Sequence, residues 1–527
     1  MFFDEDYGVA EATLDTFLQA WSEGNFEEAY DQLATNSPLK QGLTRDAWAI
    51  RRRSWVEDAK PEHMVFEIVQ DSELEVEPML PLPGDIATDA SHELLEVFWS
   101  LEMQDTPLSS TLRELPQATA MYPEVKRRWF WTRFQLVEEN GQWLIQDMQD
   151  EGAAALRLSP AELEQRMAAL TENVKAVTDE LGLTDLDPNS ETQVNNFLTK
   201  ISEDELSLDD FLGQAEEIRW ITLRGMHYSD AFIAQSPQDR HLYNTAIAQA
   251  TSIDEWERAA AYLDMYIQRF PDERGEALRL LAISQSHMME DESEERSQHF
   301  RDLLEQTLHA AIEADHSTAS YTMLADLFID EEVKLDEATQ LLQEAQEHIH
   351  TPEDEAAVAF SKGKLAEVQD KPQEALKLYE KAAQLDPKLP EVWTYLGNVQ
   401  SELGQKTLAI TSYQRSIDEG TESPDAYVEL AAIYIEQGKI EPARAILEDA
   451  LRFFPEEAKL YAIFAMLEMR SGNLLHAEEY LAMGEEIDPN DEIVIDTRLI
   501  FDSIKAQQRA SKPKGKNKSS QPKKRKK

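Results

Sequence analysis

The 527 residues contain no cysteine. Disulfides, thiolate zinc sites, iron–sulfur clusters and a cysteine nucleophile are therefore excluded. No apolar run reaches the roughly 18 residues at which a bilayer-spanning helix is read, so no membrane span is expected. The opening, "MFFDEDYGVAEATLDTF", turns acidic at once. It lacks the basic start and unbroken apolar run of a secretory signal, and a cytoplasmic protein is the expectation. Positive charge is scarce: 50 Lys and Arg stand against 103 Asp and Glu, a net of −53. Nine of the 50 sit in a short tail from Ala510, at Lys512, Lys514, Lys516, Lys518, Lys523, Lys524, Arg525, Lys526 and Lys527. Without them the body has 41 positive and 103 negative residues, a net of −62. Such a body repels phosphate and anionic lipid. Any nucleic acid must be met through those nine residues, the candidate polyanion-binding tail. Lacking apolar side chains, the tail (510–527) is expected to be disordered. Attraction to its own acidic body ranks ahead of an external polyanion or an import signal, because the two are tethered.

What is present is an ordinary folding composition, 42% hydrophobic and 29% charged, in a chain long enough for more than one domain. A period runs through the second half. Trp393, Tyr427 and Tyr461 are 34 residues apart, as are Leu396, Leu430 and Phe464, then Gly397, Ala431 and Ala465, then Ala409, Ala443 and Ala477. Pro455 and Pro489 close the last two units, and Gly363, Ala375, Tyr379, Ala382 and Pro387 fit one unit earlier. Tyr243, Ala259, Leu263 and Pro271 fit the same frame further upstream.

The segments "WTYLG" and "AITSY" carry the spacing W-x2-L-G, then A-x3-F, that this pattern resembles: the tetratricopeptide repeat. The resemblance implies two antiparallel helices per unit, with Gly or Ala where they approach most closely and Pro where the unit ends. It gives seven units, 240–273, 274–317, 318–355, 356–389, 390–423, 424–457 and 458–491. The acidic stretch 288–300 is an insertion in the second. Helix 492–509 is the expected cap, with Ile495 and Leu499 covering the last unit. The resemblance also implies a groove lined by first helices, whose candidate residues are Lys364, Thr394, Asn398, Val428, Ala432, Ile435, Ala462, Met466 and Met469. A clamp for an acidic peptide terminus needs several Lys, Arg and Asn side chains in adjacent first helices. Lys364, Asn398 and Lys459 do not make that set. The apolar run from Val428 to Met469 instead suits an apolar or amphipathic segment, unless packing between repeats buries it.

Residues 1–152 read differently. Helical patterns in "VAEATLDTFLQAWSEG", "NFEEAYDQLA" and "TRDAWAIRRRSWVEDA" precede strand-like runs: "HMVFEIVQ", "LEVEPML", "HELLEVFWSLEM", "RRWFWTRFQLV" and "GQWLIQDMQ". Asn140-Gly141 is a hairpin turn. "RWFWTRF" is apolar on both alternating faces and is expected to be covered on both. Trp48 and Trp55 share a helix face, with Arg51, Arg52 and Arg53 spread over its flanks. Helices followed by a meander resemble the nuclear transport factor 2-like (cystatin-like cone) superfamily, whose members are small-molecule enzymes or binding modules. His63 and His92 fall at strand ends, and Glu67, Glu75 and Glu96 alternate with apolar residues as outward positions do. None is placed as a buried acid or base. The aromatic group of Trp48, Trp55, Phe98, Trp129, Trp131 and Trp143 is read as core, or as the face of a homodimer through this domain.

The expected fold class is mostly α: an N-terminal α+β cone (1–152), a helical connector (153–239), and an α-α solenoid of tetratricopeptide type (240–491). The expected function is a non-catalytic scaffold or adaptor that binds a partner's peptide or helix in the solenoid groove. It needs no catalytic residue, metal or cofactor. The alternative is a small-molecule enzyme or ligand sensor that uses the cone pocket and carries the repeats as a targeting arm.

Overall fold

The computed structural model describes residues 8–69, 92–103, 121–124, 126–180, 208–289, 294–421 and 423–511. The expected strand at 74–80, with Glu75, lies outside them, as do the nine cationic tail residues. The described residues are mostly helical and include one small antiparallel sheet. It divides into two compact units, one ending at Ala314 and the other starting at Asp315.

The first unit opens with α1 (Val9–Ser22), α2 (Phe26–Asp31) and α3 (Arg45–Ala59). The strands are β1 (Glu62–Val69), β2 (His92–Glu102), β3 (Met121–Tyr122), β4 (Arg127–Glu139) and β5 (Gln142–Asp150). The sheet runs β1-β2-β4-β3, with β5 also on β4. Asn140 and Gly141 both adopt positive φ, 55° and 81°, the conformation a two-residue hairpin turn demands. Alternation along β2 and β4 sends Val97, Trp99, Leu101, Phe130 and Phe134 to one face, where α1–α3 cover them. It sends Phe98, Trp129 and Trp131 to the other.

That second face is covered too. After α4 (Glu151–Ala155) and α5 (Pro160–Glu180) come α6 (Leu208–Gln235), α7 (Arg240–Thr251), α8 (Trp256–Arg269), α9 (Arg274–His287) and α10 (Glu294–Asp315). Trp220 and Leu223 of α6 and Tyr262 of α8 share one core with Phe98 and Trp131. Covering this face redirects two carboxylates expected to point at water. Glu67 holds Arg219 of α6 at 2.9 Å, and Glu96 holds Arg133 and the Trp131 indole. The acidic insertion of the second repeat, 288–300, is in part helix, since α10 takes in 294–300. Arg52 departs from its expected place on a flank. It is fully buried, its guanidinium 3.2 Å from the centre of the Trp48 ring. Positions 48, 52 and 55 share one helical face, and a planar guanidinium packs flat where a lysine would not.

Burial of both sheet faces encloses charge. Arg127 on β4 pairs with Glu102 at 2.6 Å and with Glu257 of α8, while Arg296 of α10 reaches both carboxylates at 2.7 Å. Arg224 of α6 pairs with Glu151 at 2.7 Å, and Tyr228 donates to the same carboxylate. Arg258 of α8 pairs with Asp230 at 3.1 Å, and Tyr262 donates to that aspartate. Each ion has its counter-ion, as charges out of water must.

The second unit is a run of antiparallel helix pairs: α11/α12 (Thr318–Asp330, Leu335–Glu347), α13/α14 (Pro352–Val368, Pro372–Leu385), α15/α16 (Pro390–Glu402, Lys406–Asp418), α17/α18 (Asp425–Glu436, Ile440–Phe453) and α19/α20 (Ala458–Ser471, Leu474–Ile487), then α21 (Glu492–Ser511). Several starts are written locally. Pro occupies the first turn of α13, α14 and α15, and Thr351 with Asp354 forms a reciprocal cap, since proline has no N–H to leave unpaired there. The 34-residue glycine has a packing cause. A Cβ on Gly363 would lie 2.3 Å from the Tyr379 ring, and one on Gly397 would lie 2.5 Å from Tyr413. One and two units on, the small residue becomes Ala431 or Ala465 and the large one Leu447 or Leu481, all essentially buried. Gly faces Tyr and Ala faces Leu, so the summed volume at each crossing is held.

Helix α21 does not cap as expected. Val494 and Phe501 pack onto the last pair, while Ile495 is 44% and Leu499 64% exposed. In the 34-residue register Ile495 follows Tyr461, and Leu499 follows Ala465. Those earlier residues face their own second helix, so the same face of α21 points away from the last pair.

Candidate functional groove

First helices of the second unit repeat every 34 residues, so one position recurs as Asp330, Lys364, Asn398, Ala432, Met466 and Ile500. Three residues later comes another first-helix position, at Glu367, Ser401, Ile435 and Met469. The ladder begins charged. Lys364 Nζ lies 2.8 Å from Asp330 Oδ2 and 3.9 Å from Asp326 Oδ1, with the Phe360 and Tyr395 rings each 5.9 Å away. Burial alone would lower the Lys364 pKa. The Asp326 and Asp330 carboxylates outweigh it and raise the value above ordinary lysine. Burial pushes Asp326 up to about 6, against the pull of Lys364 and the Ser361 hydroxyl.

Asn398 stands next. The Tyr413 hydroxyl donates to its Oδ1 at 2.8 Å, which leaves the amide N–H2 as that side chain's donor for a ligand. The ladder then turns apolar at the half-buried Ala432, Met466 and Met469 and ends at Ile500, 46% exposed.

Four expected groove residues are not on that surface, and a fifth, Lys364, is only 9% exposed with its ammonium held by Asp330. Thr394 is buried and shares a 2.7 Å hydrogen bond with Ser416. Val428 and Ile435 lie in the core with Leu447, Leu460 and Phe464. Ala462 is fully buried against Ala477 and Leu481. The second helix of each pair and, at Val428 and Ile435, the next first helix crowd these positions, so the apolar seat is narrower than the pattern suggested. Conversely, Asp330 and Ile500 belong to the ladder and were missed. Carrying the same 34-residue step one unit further each way finds them. Lys459 is held by Asp425, 34 residues earlier, at 2.8 Å.

The α+β layer offers less room. Between α1 and the sheet is a cavity of about 20 Å³, lined by Phe17, Leu18, Trp21, Met64, Trp99, Phe134 and Met148. That is space for about one water, and no titratable side chain lines it. A cleft of about 180 Å³ opens beside it, with Glu23, Glu62 and the exposed His63 on its rim. His92 is half-buried at the start of β2. The tryptophans 48, 55, 129 and 131 and Phe98 are core, with Trp143 partly buried beside them. Among the described residues no group of three His, Asp or Glu is placed to hold a metal, and no helix is long and apolar enough to cross a membrane.

Tetratricopeptide repeat family models match residues 242–273, 378–411 and 407–467. The chain carries tetratricopeptide repeats. Solved structures with partial likeness include the tetratricopeptide repeat protein YrrB, titled as having an unusual peptide-binding site, at 20% identity over 36% of this chain and 97% of that one, with a TM-score of 0.29. The Cut9–Hcn1 hetero-tetramer of the APC/C matches at 14% identity over 67% of this chain and 66% of that one, TM-score 0.40. Yeast Tom70 matches at 15% identity over 67% and 74%, TM-score 0.41. In this chain the tetratricopeptide matches include Asn398, Ala432 and Met466.

Proposed function

We propose that the protein is a non-catalytic interaction scaffold whose tetratricopeptide repeats hold one segment of a partner protein along the ladder from Asp330 to Ile500. The observation that carries this reading is the change of chemistry along the ladder. It is charged at Asp330 and Lys364, an amide donor at Asn398, and apolar at Ala432, Met466 and Ile500. A groove of that kind suits a segment with a polar end and an apolar end. Asn398 meets a backbone carbonyl between them, and methionine adapts to irregular apolar side chains. Carboxylates outnumber cations at the charged end, Asp326, Asp330 and Glu367 against Lys364, which favours a basic polar end. In this reading the repeats are 240–491, with 153–239 as connector. Residues 1–152 are a nuclear transport factor 2-like cone, and its aromatic side chains fill the interior a small-molecule enzyme would need open.

Selection of peptides from a random library on the full chain tests this. Selected peptides should share a basic end and an apolar end. Asn398→Ala and Met466→Lys should each weaken them about tenfold, ~1.4 kcal/mol. Peptides without that pattern, or peptides that bind both variants unchanged, would remove the groove as the site.

A further inference from the structure

Helix α21 has the register of a first helix. Val494 and Phe501 occupy the places of Val392 and Val399 three units earlier in the frame, and all four are buried. The face that every earlier first helix turns to its own second helix carries Ile495 and Leu499. In α17 and α19 the equivalents of Leu499, Ala431 and Ala465, are fully buried; Leu499 is 64% exposed. We propose that this face of α21 is a second docking surface, which receives a basic amphipathic helix of a partner protein in the position of a second helix.

The charge around the face selects the occupant. Glu492, Asp496 and Asp502 are exposed on the same side of α21 as Ile495 and Leu499. The two cations of its described side chains are turned elsewhere: Arg498 pairs with Glu485 and Lys505 with Glu478. An apolar pair ringed by carboxylates fits apolar residues flanked by Lys or Arg. A second copy of α21 would bring the same carboxylates face to face, which costs rather than contributes. Residues 512–527 contain no apolar side chain and cannot cover Ile495 and Leu499. The size of Leu499 adds a constraint. Crossings in this unit match Gly to Tyr and Ala to Leu. A helix crossing at Leu499 must therefore present Gly or Ala there, since a large residue would overpack the contact.

The probe is a synthetic helix of about 18 residues, long enough to be partly helical alone. One face carries Leu and Ala at i, i+3, i+4 and i+7, and the remainder is Lys. Its binding to the full chain is followed by fluorescence anisotropy. The helix should bind, while a scramble of the same composition should not. Leu499→Glu should weaken it at least about tenfold, ~1.4 kcal/mol, although the change adds negative charge. Asn398→Ala and Met466→Lys should leave it unaffected, which separates this surface from the ladder. Equal binding of the scramble would show unspecific attraction to the acidic body and overturn the proposal. Unchanged binding to Leu499→Glu, or loss on Met466→Lys, would also overturn it. So would sedimentation showing a wild-type dimer that Leu499→Glu splits, because the face would then belong to a second copy.

Discussion

The two units solve the packing problem by opposite means. In the unit that ends at Ala314, groups far apart in sequence meet in the core as ions: Arg127 with Glu257, Arg296 with Glu102, Arg224 with Glu151, Arg258 with Asp230. In the unit from Asp315, the core is a succession of near-neighbour apolar crossings, each a small residue against a large one some 16 positions on, such as Gly397 and Tyr413. The first arrangement depends on every member of a pair, because an uncompensated ion out of water is costly. The second depends on volume, and a misfit at one crossing is felt by its neighbours only.

The largest expected effect follows from that contrast. Arg258→Ala leaves Asp230 buried without its cation and should cost the first unit about 3–5 kcal/mol. Hydrogen exchange should rise over β2, β4 and α8 and stay unchanged over α15–α18. Exchange that rises equally in both units would show that they do not differ as described.

A pH experiment sharpens the same point. Burial pushes Asp150 from 3.8 up to about 7, helped by neighbouring Glu151 and opposed by hydrogen bonds from Ala153 and Thr132. Burial, then the charges of Arg258 and Arg224, holds His227 well below 6.5. Both groups flank Gly152. The folded state keeps Asp150 protonated where the unfolded state does not, so its contribution is lost as pH rises from about 4 to 7. The folded state keeps His227 neutral where the unfolded state is charged, so its contribution is lost as pH falls below about 6.5. Between the ordinary aspartate and histidine values the two proton differences act in opposite directions. Asp150→Asn should expose the His227 slope, with stability falling on acidification by up to about 1.4 kcal/mol per pH unit. His227→Gln should expose the opposite slope. Urea midpoints across this window check both signs, and two flat profiles would contradict the pairing.

Next in size is the crossing volume. Gly397→Ala should destabilise the second unit by about 1–3 kcal/mol. Adding Tyr413→Leu, which copies the Ala431–Leu447 crossing, should restore part of that loss even though the Asn398 hydrogen bond goes with it. Thermal melts of the single and double variants decide it, and a double variant worse than the sum of its parts would refute the volume rule. The smallest effect is expected at the exposed Lys459–Asp425 pair. Lys459→Ala should cost no more than about 1 kcal/mol, with the fall in melting temperature vanishing at high salt. A loss as large as that of Arg258→Ala would erase the distinction between the units.

Much of the second unit was legible because its contacts are local and repeated. The 34-residue steps of Trp393, Gly397, Ala409 and their equivalents have one physical cause, a recurrent helix crossing, and that cause leaves its period in the residue types. The hairpin at Asn140-Gly141 was legible for a similar reason, since few residues tolerate positive φ. The apolar ladder was only half legible. Val428 and Met466 are alike in polarity and close in register, yet one is core and the other half-exposed, which depends on how tightly neighbouring helices crowd each position.

The sequence by itself determined the helices, their pairing within each repeat, the both-sided burial of β4 and the acidic surface, because propensity, turn geometry and net charge act within a few residues or over the whole composition. Only the tertiary structure decided that α6 and α8 cover the second face of the sheet, that Arg52 lies on Trp48 inside the core, and that Ile495 and Leu499 face outward. Those outcomes turn on which surfaces meet across long separations. A buried arginine and an exposed leucine look in sequence like their more usual opposites until the neighbouring layer is in place.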